Sequence, residues 1–281
     1  MNLDWLTVEP GRVPLIVSVP HAGSAILPEL GGRLESLWLA RKDADWHVRE
    51  LYDFALGLGA TLVATDLSRT VIDLNRDPSG ASLYPGQTTT GLCPTETFDG
   101  ELLYRAGCAP DPAEIDERTR LYHLPYHAAL TFEIARLKAQ FGAVALLDAH
   151  SIRSHAPRLF DGALPEINIG AYDGRSCAPE LVRRIEAIFA GGPFSHVTNG
   201  RFKGGYITRA YGAPEKGVHA VQIELAMRAY LDEPADPTPA NWPTAYAPAR
   251  AAALRERLQA ACTAMVNFAQ TTGNSKESSF S

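Results

Sequence analysis

The chain has 281 residues, 46% hydrophobic and 21% charged, which is enough apolar sequence for one large α/β core and too little polarity for a disordered chain. A net charge of −6, with the arginines scattered singly, excludes the electrostatic footprint of a nucleic-acid or anionic-membrane binder and suits a small anionic ligand. The four cysteines, Cys93, Cys108, Cys177 and Cys262, form no C-x-x-C pair; they fit neither a zinc ribbon nor a dense disulfide framework and read as reduced thiols.

Met1 to Pro10 contains Asp4 and Glu9 and lacks the basic start and apolar stretch of a signal peptide. No apolar run approaches the roughly 18 residues a bilayer requires, so the expectation is a soluble, cytoplasmic protein with neither membrane nor nucleic-acid partner. Pro14 to Val19 is apolar and β-branched and stops at Pro20-His21-Ala22-Gly23-Ser24, a strand ending in a tight turn. Trp46 to Leu56 carries apolar residues at helical spacing, preceded by Asp43 and Asp45. One of these acids suits a helix cap and leaves the other for a carboxylate ligand, for which Asp45 is the choice and Asp43 the alternative.

Ala60 to Ala64 is the next strand, followed by a strand-like apolar stretch that holds Arg69, Asp73, Asn75 and Arg76. Arginines beside apolar sequence near a crevice suit bidentate capture of a carboxylate. Ser82 to Pro112 is too long for a plain connection and reads as a functional loop or lid. Pro112 to Gln140 is helical, divided or kinked at Pro125. Its His123 and His127 share one helix face, but the surroundings read as a packed helix rather than a metal site.

Val144 to Leu147 is a buried strand running into Asp148-Ala149-His150-Ser151, so a second histidine stands at a strand end, with Asp148 shaping that end or supporting the ligand. Arg153 lies in the polar loop beyond. Strands follow at Glu166–Ala171, Phe194–Val197 and Tyr206–Thr208, with a helix over Ala178–Ala190. Val218 to Leu225 is a late strand in which Glu224 interrupts an apolar context, and a buried carboxylate must be paired, metal-associated or catalytic. A helix spans Ala249 to Ala269, and residues 271–281 read as a disordered tail behind a single domain of residues 1–270.

Two histidines, an aspartate, a late glutamate and several arginines suit metal-assisted amide hydrolysis. A His₂-carboxylate set leaves Zn²⁺ an open position, and a glutamate off the metal can move the proton. The segments Val19-Pro20-His21-Ala22-Gly23, Ser68 to Arg76, Tyr84-Pro85-Gly86-Gln87, Asp148-Ala149-His150-Ser151-Ile152, Asn199 to Arg209 and His219 to Leu225 together resemble the N-formylglutamate amidohydrolases of histidine degradation. That resemblance implies a three-layer α/β/α fold around a mixed central sheet, similar to zinc carboxypeptidases and aspartoacylase. It also implies hydrolysis of N-formyl-L-glutamate to formate and L-glutamate.

By the same resemblance, His21 and His150 hold the metal, joined by Asp45 (or Asp43) as the carboxylate ligand chosen from the residues themselves, while Glu224 is the general base and Arg69 assists the oxyanion. The resemblance also implies that Asn75, Arg76, Lys203, Tyr206 and Arg209 bind substrate, and Arg153, in the polar loop on the site side, is a further candidate. One departure stands out: the related enzymes take a glutamate ligand from His-x-x-Glu, whereas here Ser24 stands three residues after His21. The alternatives are an amidohydrolase or carboxypeptidase acting on another N-acyl amino acid or peptide, and a metal-free binding protein for an acidic metabolite. The joint presence of His21, His150 and Glu224 argues against the last.

Overall fold

The computed structural model describes residues 4–83, 86 and 89–277. Its seven strands are β1 (Leu6–Glu9), β2 (Leu15–Val19), β3 (Thr61–Thr65), β4 (Val144–Ile152), β5 (Ile167–Gly170), β6 (His196–Thr198) and β7 (Val218–Ala226). They form one mixed sheet in the order β1-β3-β2-β4-β7-β5-β6. The four central strands are parallel. β1 joins one side antiparallel, and β5 joins the other antiparallel with β6 parallel to it. All residues of β2, β3, β4, β5 and β7 are buried, which is why these segments read as near-continuous apolar runs.

Helices cover both faces, as the expected three-layer arrangement requires. The chain-order helices are α1 (Pro28–Gly31), α2 (Leu39–Lys42), α3 (Val48–Leu51), α4 (Phe54–Gly57), α5 (Pro112–Arg118), α6 (Leu124–Phe141), α7 (Pro179–Ala190), α8 (Tyr206–Tyr211) and α9 (Pro248–Glu277). On one face, Val17, Leu147 and Val221 pack against Leu51 of α3, Ala55 of α4, Leu181 and Ile185 of α7, and Leu254, Leu258 and Met265 of α9. On the other, Ile16, Leu146 and Ala220 pack against Tyr126, Leu130 and Leu137 of α6 and Ile207 of α8.

Several segments depart from the sequence reading. The helix expected over Trp46–Leu56 is two short ones, α3 and α4. Val71, Ile72 and Leu74, which look strand-like, lie in an irregular segment buried in the second core, so their apolarity reflects burial alone. The division expected at Pro125 is a five-residue π-turn (Thr119–His123) that joins α5 to α6 just before it, in a helical run that continues through the proline. Tyr206–Thr208, expected as a strand, begins α8, because the side chain of Asn75 accepts the Ile207 N–H at 2.8 Å and that of Gln222 accepts the Gly205 N–H at 2.6 Å.

The helix expected to end at Ala269 continues through Gly273 to Glu277. There Gly273 lies against the Phe141–Ala143 backbone so closely that a Cβ would fall 1.7 Å from Phe141 O. Residues 278–281 of the expected tail, and Tyr84, Pro85, Gln87 and Thr88 of the expected loop, lie outside the described residues. Among the described residues no helix is long and apolar enough to cross a membrane, and the four cysteines are unbridged.

Candidate active site

The alternation of side chains along β4 and β7 builds the site. In the parallel register Leu146 pairs with Ala220, Asp148 with Gln222, and His150 with Glu224. Side chains two apart share a face, so the row that starts as apolar core under α6 turns polar towards the carboxyl ends of these strands. His150 is therefore inside β4, which runs on to Ile152 because β7 pairs with it throughout. Asn168 of β5 is registered with Glu224 on the far side.

His21 follows the end of β2, and its backbone carbonyl accepts the Asp45 N–H at 3.0 Å, which draws the α2–α3 loop onto the strand ends. Asp45 Oδ2 then accepts the Ser151 N–H at 3.1 Å, stands 3.0 Å from His150 Nδ1 and 3.8 Å from His21 Nδ1. The His21 and His150 ring centroids are 4.8 Å apart. Asp43 points elsewhere: its Oδ2 accepts the Phe98 N–H at 2.6 Å and it is no part of the His21–Asp45–His150 group. Buried away from water yet held by Phe98 and Arg153, its pKa is pushed up to about 6.

Each histidine offers Nδ1 to Asp45 and turns Nε2 to a second carboxylate. His21 Nε2 lies 2.7 Å from Asp73 Oδ1 and His150 Nε2 lies 3.1 Å from Asp148 Oδ2. This is the outer support that metal-bound histidines require to fix tautomer and ring orientation. Asp73 was missed in that role by the sequence reading; an acid amid Val71, Ile72 and Leu74 was the available signal.

His21 Nδ1 and Asp45 Oδ1 are buried without a hydrogen-bond partner among the described residues. A tetrahedral site with bonds of about 2.0–2.1 Å has edges of roughly 3.3 Å; the two edges to Asp45 are 3.0 and 3.8 Å, and all three ligand atoms lie within 4.8 Å of one another. The donor set thus fits a divalent metal ion, and His₂-carboxylate leaves it an open position.

Without a cation the buried groups shift one another's protonation strongly, and a metal would have to displace the proton that His150 holds. Burial opposes charge on His150, but Asp148 and Asp45 outweigh it and raise its pKa well above the ordinary value. Burial lowers that of His21, with the Arg69 cation adding to the effect. Burial would raise Asp73, yet Arg76, His21 and Arg69 hold it well below the usual carboxylate range. Glu224 is pushed up to about 7, chiefly by burial, with Asp45 adding to the effect and His150 opposing it. Gln222 Nε2 donates to Glu224 Oε2 at 2.9 Å.

A cavity open to solvent lies on this group, with His21, His150, Glu224, Arg69, Asn75 and Arg76 in its wall. Arg69 is buried, with NH2 2.7 Å from Asp73 Oδ2, NH1 3.6 Å from Asp45 Oδ1, and its guanidinium 4.8 Å from the Phe98 ring centroid. Asn75, expected to bind substrate, is already committed: Nδ2 donates to Asp148 Oδ2 at 3.0 Å, lies 2.9 Å from His150 Nε2, and Oδ1 accepts from Ile207. Arg76 donates to Thr90 O and Oγ1 at 3.0 and 2.9 Å.

The other expected substrate ligands are not in the described wall. Arg153 donates to Asp99 at 2.7 Å, and Lys203 Nζ lies 3.2 Å from Asp173. Arg209 donates to Gly204 O and Leu83 O, and Tyr206 sits against the rings of His123 and His127. Arg201, Phe202 and Gln222, to which the sequence reading attached no role, are in the wall. Gln222 was legible in principle, two residues before Glu224 on one strand face. His123 and His127 are stacked, 4.1 Å apart, and donate through Nε2 to Arg76 O and Leu74 O, so they brace the Asp73–Arg76 turn rather than hold a metal.

Fold and site thus define an α/β/α protein with a buried His–Asp–His group facing a glutamate at the carboxyl end of its central strands. A family model for N-formylglutamate amidohydrolase matches residues 13–231. A curated N-formylglutamate deformylase of Pseudomonas aeruginosa is 48% identical over 257 residues, 91% of this chain and 95% of the relative. One of Pseudomonas putida is 48% identical over 229 residues, 81% and 85% of the two chains. The crystal structure of an N-formylglutamate amidohydrolase from Ralstonia eutropha JMP134 shares the fold at TM-score 0.71 and 24% identity, covering 95% of this chain and 97% of that one. A gene product of Agrobacterium tumefaciens shares it at TM-score 0.67 and 21% identity, covering 94% of each. The chain belongs to the N-formylglutamate amidohydrolase family.

Proposed function

We propose that the chain hydrolyses N-formyl-L-glutamate, one water being consumed and formate and L-glutamate released, with His21, Asp45 and His150 holding a divalent cation, zinc in the first instance. The name of the 48%-identical relatives supplies the substrate. The observation that carries the chemistry is the pairing of His150 with Glu224 on adjacent strands beside the buried His–Asp–His group. Bound there, the cation acidifies water and polarises a carbonyl oxygen.

The protein's own groups do the rest. Asp73 and Asp148 fix the histidine rings with Nδ1 turned inward. Glu224, registered with His150 on the adjacent strand, takes the proton of the attacking water and returns it to the amide nitrogen as the C–N bond breaks. Arg69 stabilises the charge that develops on the formyl oxygen, and Arg76 binds a substrate carboxylate.

The test is formate release from N-formyl-L-glutamate by the purified protein, before and after chelation and zinc restoration, beside other N-acyl amino acids and short peptides. The reading requires metal-dependent release and a loss of about 10²–10⁴-fold in Glu224→Gln with metal content unchanged. A folded, metal-loaded protein that releases no formate from this substrate is not a deformylase.

A further inference from the structure

We propose that Arg201 is the specificity-determining residue of the cavity, binding the side-chain carboxylate of the substrate; this rests on the N-formylglutamate reading above. N-formylglutamate carries two carboxylates, and each must find charged donors as it leaves water. Three arginines stand in the described wall, Arg69, Arg76 and Arg201. Arg69 spans Asp45 and Asp73 at the reacting end. Arg76 sits beside it, within 3.7 Å of the same Asp73, and suits the carboxylate nearest the scissile amide. That assigns the distal carboxylate to the third arginine.

Arg201 reaches the cavity on a separate segment, residues 199–205 between β6 and α8, which is fastened at both ends. Asn199 adopts a positive φ of 52°. Its Oδ1 accepts the N–H groups of Ala171 and Asp173 at 2.9 and 3.3 Å. At the other end the Gly205 N–H is held by Gln222, the residue that also donates to Glu224.

Arg201 Nε donates to Leu159 O at 2.8 Å and its guanidinium lies 5.3 Å from the Phe202 ring centroid. Phe160 meets Phe202 edge-on at 6.1 Å. The cation is thus set in an apolar wall, where its attraction for an anion is less screened than at an open surface. Lys203, beside Asp173, and Arg209, which donates to the carbonyls of Gly204 and Leu83, are not in the described wall.

The experiment compares kcat/KM for N-formyl-L-glutamate and N-formyl-L-glutamine, which differ only at the distal carboxylate, in the zinc-loaded wild type, Arg201→Met and Arg201→Lys. The wild type prefers N-formyl-L-glutamate, by roughly 100-fold or more, as a site built around a charged group does. Arg201→Met lowers kcat/KM at least about tenfold further for N-formyl-L-glutamate than for N-formyl-L-glutamine, and Arg201→Lys restores part of the difference. An equal loss on both substrates, or a preference that survives Arg201→Met in a protein with unchanged melting temperature, overturns the assignment. A wild type inactive on N-formyl-L-glutamate removes the substrate reading itself, and the role of Arg201 with it.

Discussion

Asp73 Oδ1 lies 2.7 Å from His21 Nε2, while Asp73 Oδ2 lies 2.7 Å from Arg69 and 3.7 Å from Arg76. One fully buried carboxylate therefore orients a histidine of the His–Asp–His group with one oxygen and gathers two arginines of the cavity with the other. Its own backbone is fixed in turn, since the Asp73 N–H donates to Leu92 O at 2.7 Å and the Asn75 N–H returns to Asp73 Oδ1 at 2.9 Å.

Asp73→Ala releases the His21 ring and leaves two buried arginines without their shared partner. The expected result is a 10–100-fold loss of zinc affinity, measured by competition with a chromophoric chelator, and a larger loss of kcat/KM because Arg69 and Arg76 are displaced together. Unchanged zinc affinity would show that His21 is held by packing alone.

Gly205 precedes α8 where a Cβ would fall 2.2 Å from Asn75 Nδ2 and 2.6 Å from its Cγ. The backbone there is ordinary, φ −81°, so a side chain is excluded by space and not by strain. Gly205→Ala is expected to push the Asn75 amide off Asp148 and His150, lowering kcat roughly tenfold or more while the fold remains, a misplacement effect of the kind that distant packing changes exert. Circular dichroism with steady-state kinetics checks it.

Glu224 gives a pH signature. Its pKa in the folded metal-free protein is about 7 against an ordinary 4.5, so its protonated form is favoured on folding. That stabilisation is complete below pH 4.5, declines as pH rises through 7, and is then gone. Glu224→Gln keeps a neutral side chain at every pH. The metal-free variant should match the wild type near pH 4.5 and exceed it above pH 7, by at most about 3 kcal/mol. Urea unfolding at the two pH values measures the difference.

Much of the site was legible because the chemistry sits at the ends of buried strands. β2, β4 and β7 are apolar runs, and a histidine or glutamate in or just after such a run stands out. The long-range partnerships were not legible. Asp73 supports His21 across 52 residues, and Asn75 and Gln222 supply the acceptors that make α8 a helix where local sequence reads as strand. β1, a four-residue edge strand with three half-buried residues and an exposed last one, offers too little apolar sequence to be seen. The side-chain directions within 199–209 also escape local pattern: Arg201 faces the cavity, while Lys203 and Arg209 engage other partners.

The carboxyl-terminal helix makes a separate case. Gly273 is buried against the Gly142 turn, and a Cβ there would meet Phe141 O at 1.7 Å and the Gly142–Ala143 junction beyond it. Gly273→Ala should destabilise the protein by about 1–3 kcal/mol, read by chemical denaturation, through forced displacement of packed backbone. Gly273 packs before the start of β4 while the cavity lies at the strand's other end, with no residue of α9 in the described wall, so kcat and KM at low temperature should stay at wild-type values.

The most direct measurement is anomalous diffraction at the zinc edge from crystals of the zinc-loaded protein. The account predicts a single strong peak within bonding distance, about 2.0–2.2 Å, of His21 Nδ1, His150 Nδ1 and an Asp45 carboxylate oxygen, with Glu224 facing the ion without ligating it. A peak elsewhere, or ligation through Asp43 or Asp148 in place of Asp45, would contradict it.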